Sequence, residues 1–401
     1  MDFFREIINT FRLLNYFLRI FALNTILTTG GVPLLHLIRM AATFVTVGSF
    51  NLFTLIYKSL YVIDIKIKMD PSIYYMDAVQ SVYDLFQYLV DLWFVYKYGA
   101  DVCFEYINRF CYMDALLGMK YFPDIRSKLA KFLCLMIFLW SVTSLYDYLV
   151  WAFAYGPVAP LYFSANYVHM YIKSLTNLHL SLNITHVEYR LRTIGDHVQT
   201  LYAGSEDLLP TTQKALCSTW FCPNSKNSSD ADEDFSKARK NVKRFRTYYL
   251  LLSEQVKFIN RMFGMRILLN TLSFFIDMVR LTNVTARILI GSQQMGMDGI
   301  YPAVGALVKV LMCAVMLVSI VWRSERAYEQ RSRLLCLIDN LLVNKHIDEN
   351  IDDDIKDFRD LAQAHPVSFS MADFVRIDNS FLVSITSAVV TYSIILLQNV
   401  N

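Results

Sequence analysis

Runs of twenty or more predominantly apolar residues recur along this chain of 401 residues, and they limit its fold before any motif is considered. A run of about 20 apolar residues is the length needed for a helix to cross a bilayer core. Inside that core every backbone N–H and C=O must be satisfied within the segment, which leaves helices as the spanning element. Charged residues make up 18% of the chain, where a soluble domain carries about a quarter. The expected fold is an all-α integral membrane protein.

Seven spans are expected, near residues 36–58, 76–97, 132–154, 161–184, 264–287, 301–322 and 379–399. The fourth is the least apolar, since it holds Asn166, His169, Lys173, Asn177 and His179. Basic residues in the connections set the orientation. Arg109, Lys120, Arg126, Lys128 and Lys131 follow the second span. Lys237, Arg239, Lys240, Lys243, Arg244 and Arg246 cluster after the fourth, and Arg323, Arg326, Arg331 and Arg333 follow the sixth. The connection around Gly156 and Pro157 has none, and the next outer one has only Arg287; Lys66 and Lys68 are mild exceptions. The even-numbered connections and the N-terminus are therefore expected in the cytosol, and the C-terminus outside.

This divides the chain into a cytosolic amphipathic segment (1–32) and helices one to five with cytosolic loops (33–292, loops 98–131 and 188–262). An outer connection with helix six (293–322), a cytosolic anchor region (323–378) and helix seven (379–401) follow. Arg5, Arg12 and Arg19 share one face of the first segment, opposite Phe3, Ile7, Leu14 and Phe21. Such a helix lies in the headgroup layer or packs on the protein. Arginines interrupt its apolar stretch, so it is not read as a signal peptide. Residues 201–234 read as a polar loop. The helical pattern from about Asp234 to Ile290 runs from the cytosol straight into span five, and span six continues inward the same way.

Several function classes drop out. A G-protein-coupled receptor has seven spans but an outer N-terminus, and its acidic-Arg-aromatic and Asn-Pro-x-x-Tyr signals are missing. No histidine box or His-Glu-x-x-His helix marks a membrane enzyme. A net charge of +3 gives no reason to expect nucleic acid as a partner. The seven cysteines form no paired framework, and Cys217 and Cys222 lack further ligands at metal-site spacing. Neither a metal nor a cofactor is expected.

Ionisable residues inside spans face a cavity or a partner. Asp77, Asp84 and Asp91 recur every seven residues in span two, with Gln80 and Gln87 nearby. Asp147 stands among Trp140, Tyr146, Tyr148 and Trp151 in span three; spans four to six hold His169, Lys173, Asp277, Arg280 and Lys309. Asp84, Asp147, His169 and Lys309 lie at one depth, on the order of 13 Å below the outer surface. With Tyr146 and Trp151 they are the candidate ligand-binding residues. The other reading is a structural network in which Asp84 or Asp147 pairs with Lys309.

The last segment, HPVSFSMADFVRIDNSFLVSITSAVVTYSIILLQNVN, has Pro366 as a helix breaker and Ser370 with Asp373 as a capping box for the next helix. That helix is rich in hydroxyl and small side chains, which suit close packing or a wetted pore. Thr391 and Tyr392, five apolar or small residues and then Gln398 resemble the Thr-Tyr-(five hydrophobic)-Gln-Phe ending of insect gustatory receptors. The stretch RTYYLLLSEQVKFINRMFG and the inverted topology are similar to that family as well.

The resemblance implies a ligand-gated, nonselective cation channel of a taste neuron's plasma membrane. Such a channel is a homotetramer, or a heteromer with other gustatory receptors, surrounded by membrane lipid and opened by a small-molecule tastant. A bitter or aversive compound is the default ligand. It also implies that the seventh helix lines the pore, with Thr391, Tyr392, Leu397, Gln398 and Asn399 as pore or gate residues. Asn399 replaces the motif's Phe. The alternative is a metabotropic seven-helix receptor acting through a cytosolic partner. Topology is directly testable. Epitope tags at the N-terminus or within 207–227 should be reachable by antibody only after permeabilisation, and labelling of intact cells would refute the orientation.

Overall fold

A computed structural model describes residues 2–24, 34–64, 71–99, 101–117, 121–156, 160–161, 164–206, 228–290, 300–343 and 349–398. Among them ten helices follow in order. These are α1 (Asp2–Ile20), α2 (Leu34–Asp64), α3 (Pro71–Tyr98), α4 (Asp101–Leu117), α5 (Phe122–Tyr155), α6 (Ser164–Glu206), α7 (Ser228–Ile290), α8 (Ile300–Val343), α9 (Glu349–Ala364) and α10 (Asn379–Gln398). Two short strands, β1 (Ser370–Met371) and β2 (Val375–Arg376), form an antiparallel hairpin between α9 and α10.

The seven expected spans fall on α2, α3, α5, α6, α7, α8 and α10. Five of these are long and apolar enough to cross a membrane by composition alone; α3 and α6 are not among them. The reason is their side-chain content, since these two helices carry Asp77, Asp84, Asp91, His169 and Lys173. What admits them to the bundle is burial. Every residue of α6 from Leu175 to Val187 is buried, although Asn177, His179, Asn183 and His186 are among them. Helices α1 to α5, α7 and α8 all pack around it.

The cytosolic loops expected at 98–131 and 188–262 are largely helical. Helix α4 and the start of α5 occupy the first, and extensions of α6 and α7 occupy the second. The polar stretch 201–234 is helical at both ends, while Cys217 and Cys222 lie outside the described residues. Helix α7 is 63 residues long, about 95 Å at 1.5 Å per residue, three times the bilayer core. Its inner half packs on α8 and α9. Tyr249, Leu334, Ile338, Ile355, Phe358 and Ala362 are buried there, which supplies the cover that their apolar pattern demands. Exposed pairs such as Arg246–Asp357 at 2.8 Å decorate this layer and add little.

Helix α1 takes the second of its two readings. Leu14 and Leu18 are wholly buried, and Phe11 stacks on the His186 ring at 5.4 Å. Arg12 and Arg19 remain exposed. Farther along, Asn283 is buried and accepts a hydrogen bond from Arg287.

The capping box expected at Ser370 and Asp373 does not start the last helix. Those residues close the hairpin instead: the Ser370 hydroxyl donates to Asp373 at 2.9 Å, and Ala372 and Asp373 adopt positive φ. The local signal is ambiguous because Ser and Asp at this spacing serve turns as readily as caps. Asp378 caps α10, accepting from the Ser380 hydroxyl at 2.6 Å and the Phe381 amide at 3.2 Å. The Ser380 bond is the larger reason that its carboxyl titrates below the usual range.

This hairpin roots α10 on α7 and α8. The Asn260 amide donates to Ser368 and accepts from the Ser370 N–H. Tyr328 accepts from the Phe369 N–H at 2.9 Å and donates to the Ile377 carbonyl at 3.2 Å. Gly264 lets the turn touch the α7 backbone, since a Cβ there would stand 2.7 Å from the Ala372 nitrogen. Backbone cannot retreat as a flexible side chain does. Gly264→Ala should therefore destabilise the protein by about 1–3 kcal/mol, read as a lower thermal midpoint in detergent, whereas Gly195→Ala, whose Cβ would meet only Leu337 Cδ1 at an ordinary 3.9 Å, should change little.

Candidate functional site

The heptad of aspartates on α3 faces a matching heptad on α7, where Arg266, Ser273 and Arg280 recur at the same spacing. The helices run antiparallel, so each step inward on α3 meets a step back along α7. At the inner rung Arg266 donates to Asp91 at 2.7 Å, and Thr176 of α6 adds a bond at 3.3 Å. At the middle rung Ser273 donates to Asp84 Oδ1 at 2.9 Å. At the outer rung Arg280 pairs with Asp77 and, at 3.0 Å, with Asp277 of its own helix. Gln87 and Asn270 bond between the inner and middle rungs.

Lys173 of α6 closes the network from the side. Its ammonium lies 2.8 Å from Asp84 Oδ1 and 3.1 Å from Asp277 Oδ2. Gln80 also donates to Asp84 Oδ1, at 2.7 Å. A second centre joins α5, α6 and α8: Lys309 reaches Asp147 Oδ2 at 2.5 Å, and the Tyr167 hydroxyl donates to the same oxygen. The Lys309 ammonium also sits 5.2 Å from the centre of the Tyr167 ring, within reach of a cation–π contact. Gly305 makes room for this centre, because a Cβ there would stand 3.2 Å from Asp147 Oδ1 and 3.3 Å from the Tyr146 ring.

Between the two centres lies a cavity of about 70 Å³. Asp77 and Asp84 of α3, Asp147 of α5, Asp277 and Arg280 of α7 and Lys309 of α8 supply its charge. Trp140, Trp151, Tyr167, Asn166, Met170 and aliphatic groups of α7 and α8 form the rest of the wall. Of the six residues expected at a ligand site, Asp84, Asp147, Trp151 and Lys309 thus come together on one cavity. Tyr146 and His169 do not line it. Tyr146 turns to the Tyr301 carbonyl at 3.1 Å, and His169 is buried with its Nε2 unpartnered among the described residues.

Equal depth on neighbouring helices located the cavity, but depth says nothing of which way a side chain turns about its helix axis. Both sequence readings of the charges hold something of the geometry, since the groups form ion pairs and also wall a cavity. Asp147 is the partner of Lys309, while Asp84 belongs to Lys173. Tyr167 escapes a reading of the sequence, and Asp77, Asp277 and Arg280 are recognisable there as intramembrane charges without being joined to the site. The signal that joins them is the seven-residue recurrence on α7, visible only when set beside that of α3.

The residues expected at a pore occupy another face. On α10 the Thr391 and Tyr392 side chains are exposed, Leu397 is half-buried and Gln398 is exposed; Asn399 lies outside the described residues. Tyr392 meets the Phe275 ring edge-on at 5.7 Å. Ser384, Thr386 and Thr391 donate their hydroxyl protons to carbonyls one turn back, leaving oxygen lone pairs outward. Among the described residues of α10 only Ser393 is buried.

The ion pairs make a sharp expectation. Asp147→Asn leaves Lys309 without a carboxylate in a largely buried setting, and breaking such a pair costs about 3–5 kcal/mol. Surface level and thermal midpoint should both fall. The double variant Asp147→Asn with Lys309→Met removes the stranded charge and should recover most of the loss.

Comparison with known proteins agrees with this architecture. The insect olfactory receptor OR5 from Machilis hrabei in complex with eugenol superposes with a TM-score of 0.62 over 96% of this chain and 97% of that one, at 12% identity. A second structure of the same Machilis receptor gives 0.60 over 98% and 99%, again at 12% identity. No curated protein matches the chain by sequence. The family model described as 7tm chemosensory receptor matches residues 11–399, and the chain belongs to that family of insect chemosensory receptors.

Proposed function

We propose that this receptor is a gustatory, ligand-gated, nonselective cation channel subunit, working as a homotetramer or with other gustatory receptors in the plasma membrane of a taste neuron. One observation carries the reading. Helix α10 is twenty residues of mostly apolar and hydroxyl side chains, yet among the described residues it packs chiefly on one side, against α7 and α8. Its free faces expose Val383, Val390, Tyr392, Ile394 and Ile395. A spanning helix with small and hydroxyl groups on an uncovered face is suited to meet copies of itself around a wet path. The outward lone pairs of Ser384, Thr386 and Thr391 would offer cations an oxygen-lined wall.

The ending Thr391, Tyr392 and Gln398, which resembles that of gustatory receptors, favours taste over smell and puts Gln398 at the outer constriction. The ligand would be a small-molecule tastant, with bitter or aversive compounds the preferred class, received in the cavity between α3, α5, α6, α7 and α8. Two of those helices, α7 and α8, also hold the hairpin at the root of α10. Ligand-driven repacking of the cavity thus has a short, hydrogen-bonded route to the pore helix. The acceptance of eugenol belongs to the Machilis receptor and tells only that this fold can enclose a small organic molecule.

Recording from excised patches tests the proposal. A ligand-evoked cation current should appear without nucleotide or G protein, and Gln398→Ala should alter gating or ion selectivity at unchanged surface level. A response that vanishes on patch excision would favour a metabotropic receptor. A current identical in every respect in the variant would remove Gln398 from the pore.

A further inference from the structure

Among the described residues the cavity walls carry more carboxylates than cations. Asp77, Asp84, Asp147 and Asp277 stand against Arg280, Lys309 and, behind the wall, Lys173. The pairing shows where the surplus falls. Both Asp277 oxygens are engaged, one by Arg280 and one by Lys173. Asp84 is different: Lys173 approaches it at Oδ1, Gln80 and Ser273 donate to that same oxygen, and none of these three contacts is made to Oδ2. Arg287, the next basic residue along α7, bonds to Asn283 and is not part of the lining.

A second group on the same wall also lacks its partner. Trp140 is 3% exposed, and its indole N–H finds no acceptor among the described residues. Buried polar atoms in a native protein are nearly always satisfied, by protein, water or ligand. The wall therefore presents an unused anionic acceptor, an unused donor, and the ring faces of Trp151 and Tyr167. Aromatic faces attract ammonium groups most strongly once these are out of water, and a charged hydrogen bond is worth more than a neutral one.

Resting on the reading of this cavity as the ligand site, we propose that its ligands are small organic amines in ammonium form that also carry a hydroxyl or carbonyl oxygen. The ammonium donates to Asp84 Oδ2, the oxygen accepts from Trp140, and the carbon frame lies against Trp151 and Tyr167. An uncharged molecule of the same shape leaves Asp84 unanswered. An anion meets the wrong sign.

Asp84→Asn is a clean probe for a reason set by the network. It removes the surplus charge without stranding a cation, because Lys173 keeps Asp277, so the variant should reach the surface as the parent does. The full-length receptor, purified in detergent, is titrated with 1-amino-2-propanol and with 2-butanol, in which a methyl group replaces the amine. Shorter amino alcohols and their methyl counterparts extend the series. The amines should bind about tenfold or more tightly than their counterparts. Asp84→Asn should abolish that preference, Asp84→Glu should restore it, and Trp140→Phe should weaken the amine without reversing the preference.

Equal or tighter binding of the uncharged partners, binding of neither partner anywhere in the series, or a preference untouched in Asp84→Asn would overturn the proposal. Ala306→Phe, which fills the cavity, separates the two ideas. If the uncharged compounds bind and Ala306→Phe blocks them, the cavity stands as the ligand site and only its charge preference falls. If Ala306→Phe reaches the surface and leaves all binding intact, the cavity reading falls with it.

Discussion

The register of α3 against α7 is the interaction on which the rest of the structure depends. A carboxylate inside a bilayer is tolerable only beside a cation or hydrogen-bond donors. Three such carboxylates, one every two turns of α3, therefore require three answers at the same interval on whatever packs beside them. Arg266, Ser273 and Arg280 provide them. Sliding one helix by a residue turns every rung away from its partner at once, so the ladder locks translation and rotation together. Apolar contacts between helices in lipid carry no comparable penalty for misalignment, because a methyl group against a lipid tail loses little.

With that register set, α6 and α7 divide the remaining work. Helix α6 would be a poor membrane span by itself, yet it is the most enclosed helix of the bundle, and Lys173 ties it to the middle of the ladder. Helix α7 extends the same frame through the membrane into the inner layer, where α9 covers it, and on the way it supports the hairpin through Asn260 and Gly264. One continuous rod thus borders the cavity, the root of α10 and the inner helical layer. Displacement along or about its axis is felt at all three places without any intermediate loop.

Much of this is legible in the residues. Apolar runs mark five of the seven expected spans outright, with α3 and α6 falling short by composition; unbroken helical pattern gives the long inner extensions of α7 and α8, and equal depth draws attention to Asp84, Asp147 and Lys309. What escapes has physical reasons. Depth is a one-dimensional coordinate, and the rotation that sends His169 away from the cavity and Tyr146 toward Tyr301 is set by packing on three sides. The ladder is a relation between helices far apart in the chain, and its α7 half reads as an ordinary mixture of polar residues when taken alone. Ser370 and Asp373 mislead because one pair of side chains serves a helix cap or a turn; the choice is made at Gly264, where α7 leaves space for a backbone.

The ladder also has a consequence for how the protein is made. Ribosomal synthesis delivers α3 with its three aspartates long before their cations, since 175 residues separate Asp91 from Arg266 and 203 separate Asp77 from Arg280. Until α7 emerges, the inner and outer carboxylates of α3 have no arginine beside them, which makes this helix costly to expose to lipid alone. The register of α3 is thus completed only once the fifth span is present. A product that ends before residue 266 carries an acidic helix whose middle carboxylate can meet Lys173 but whose inner and outer carboxylates lack their arginines.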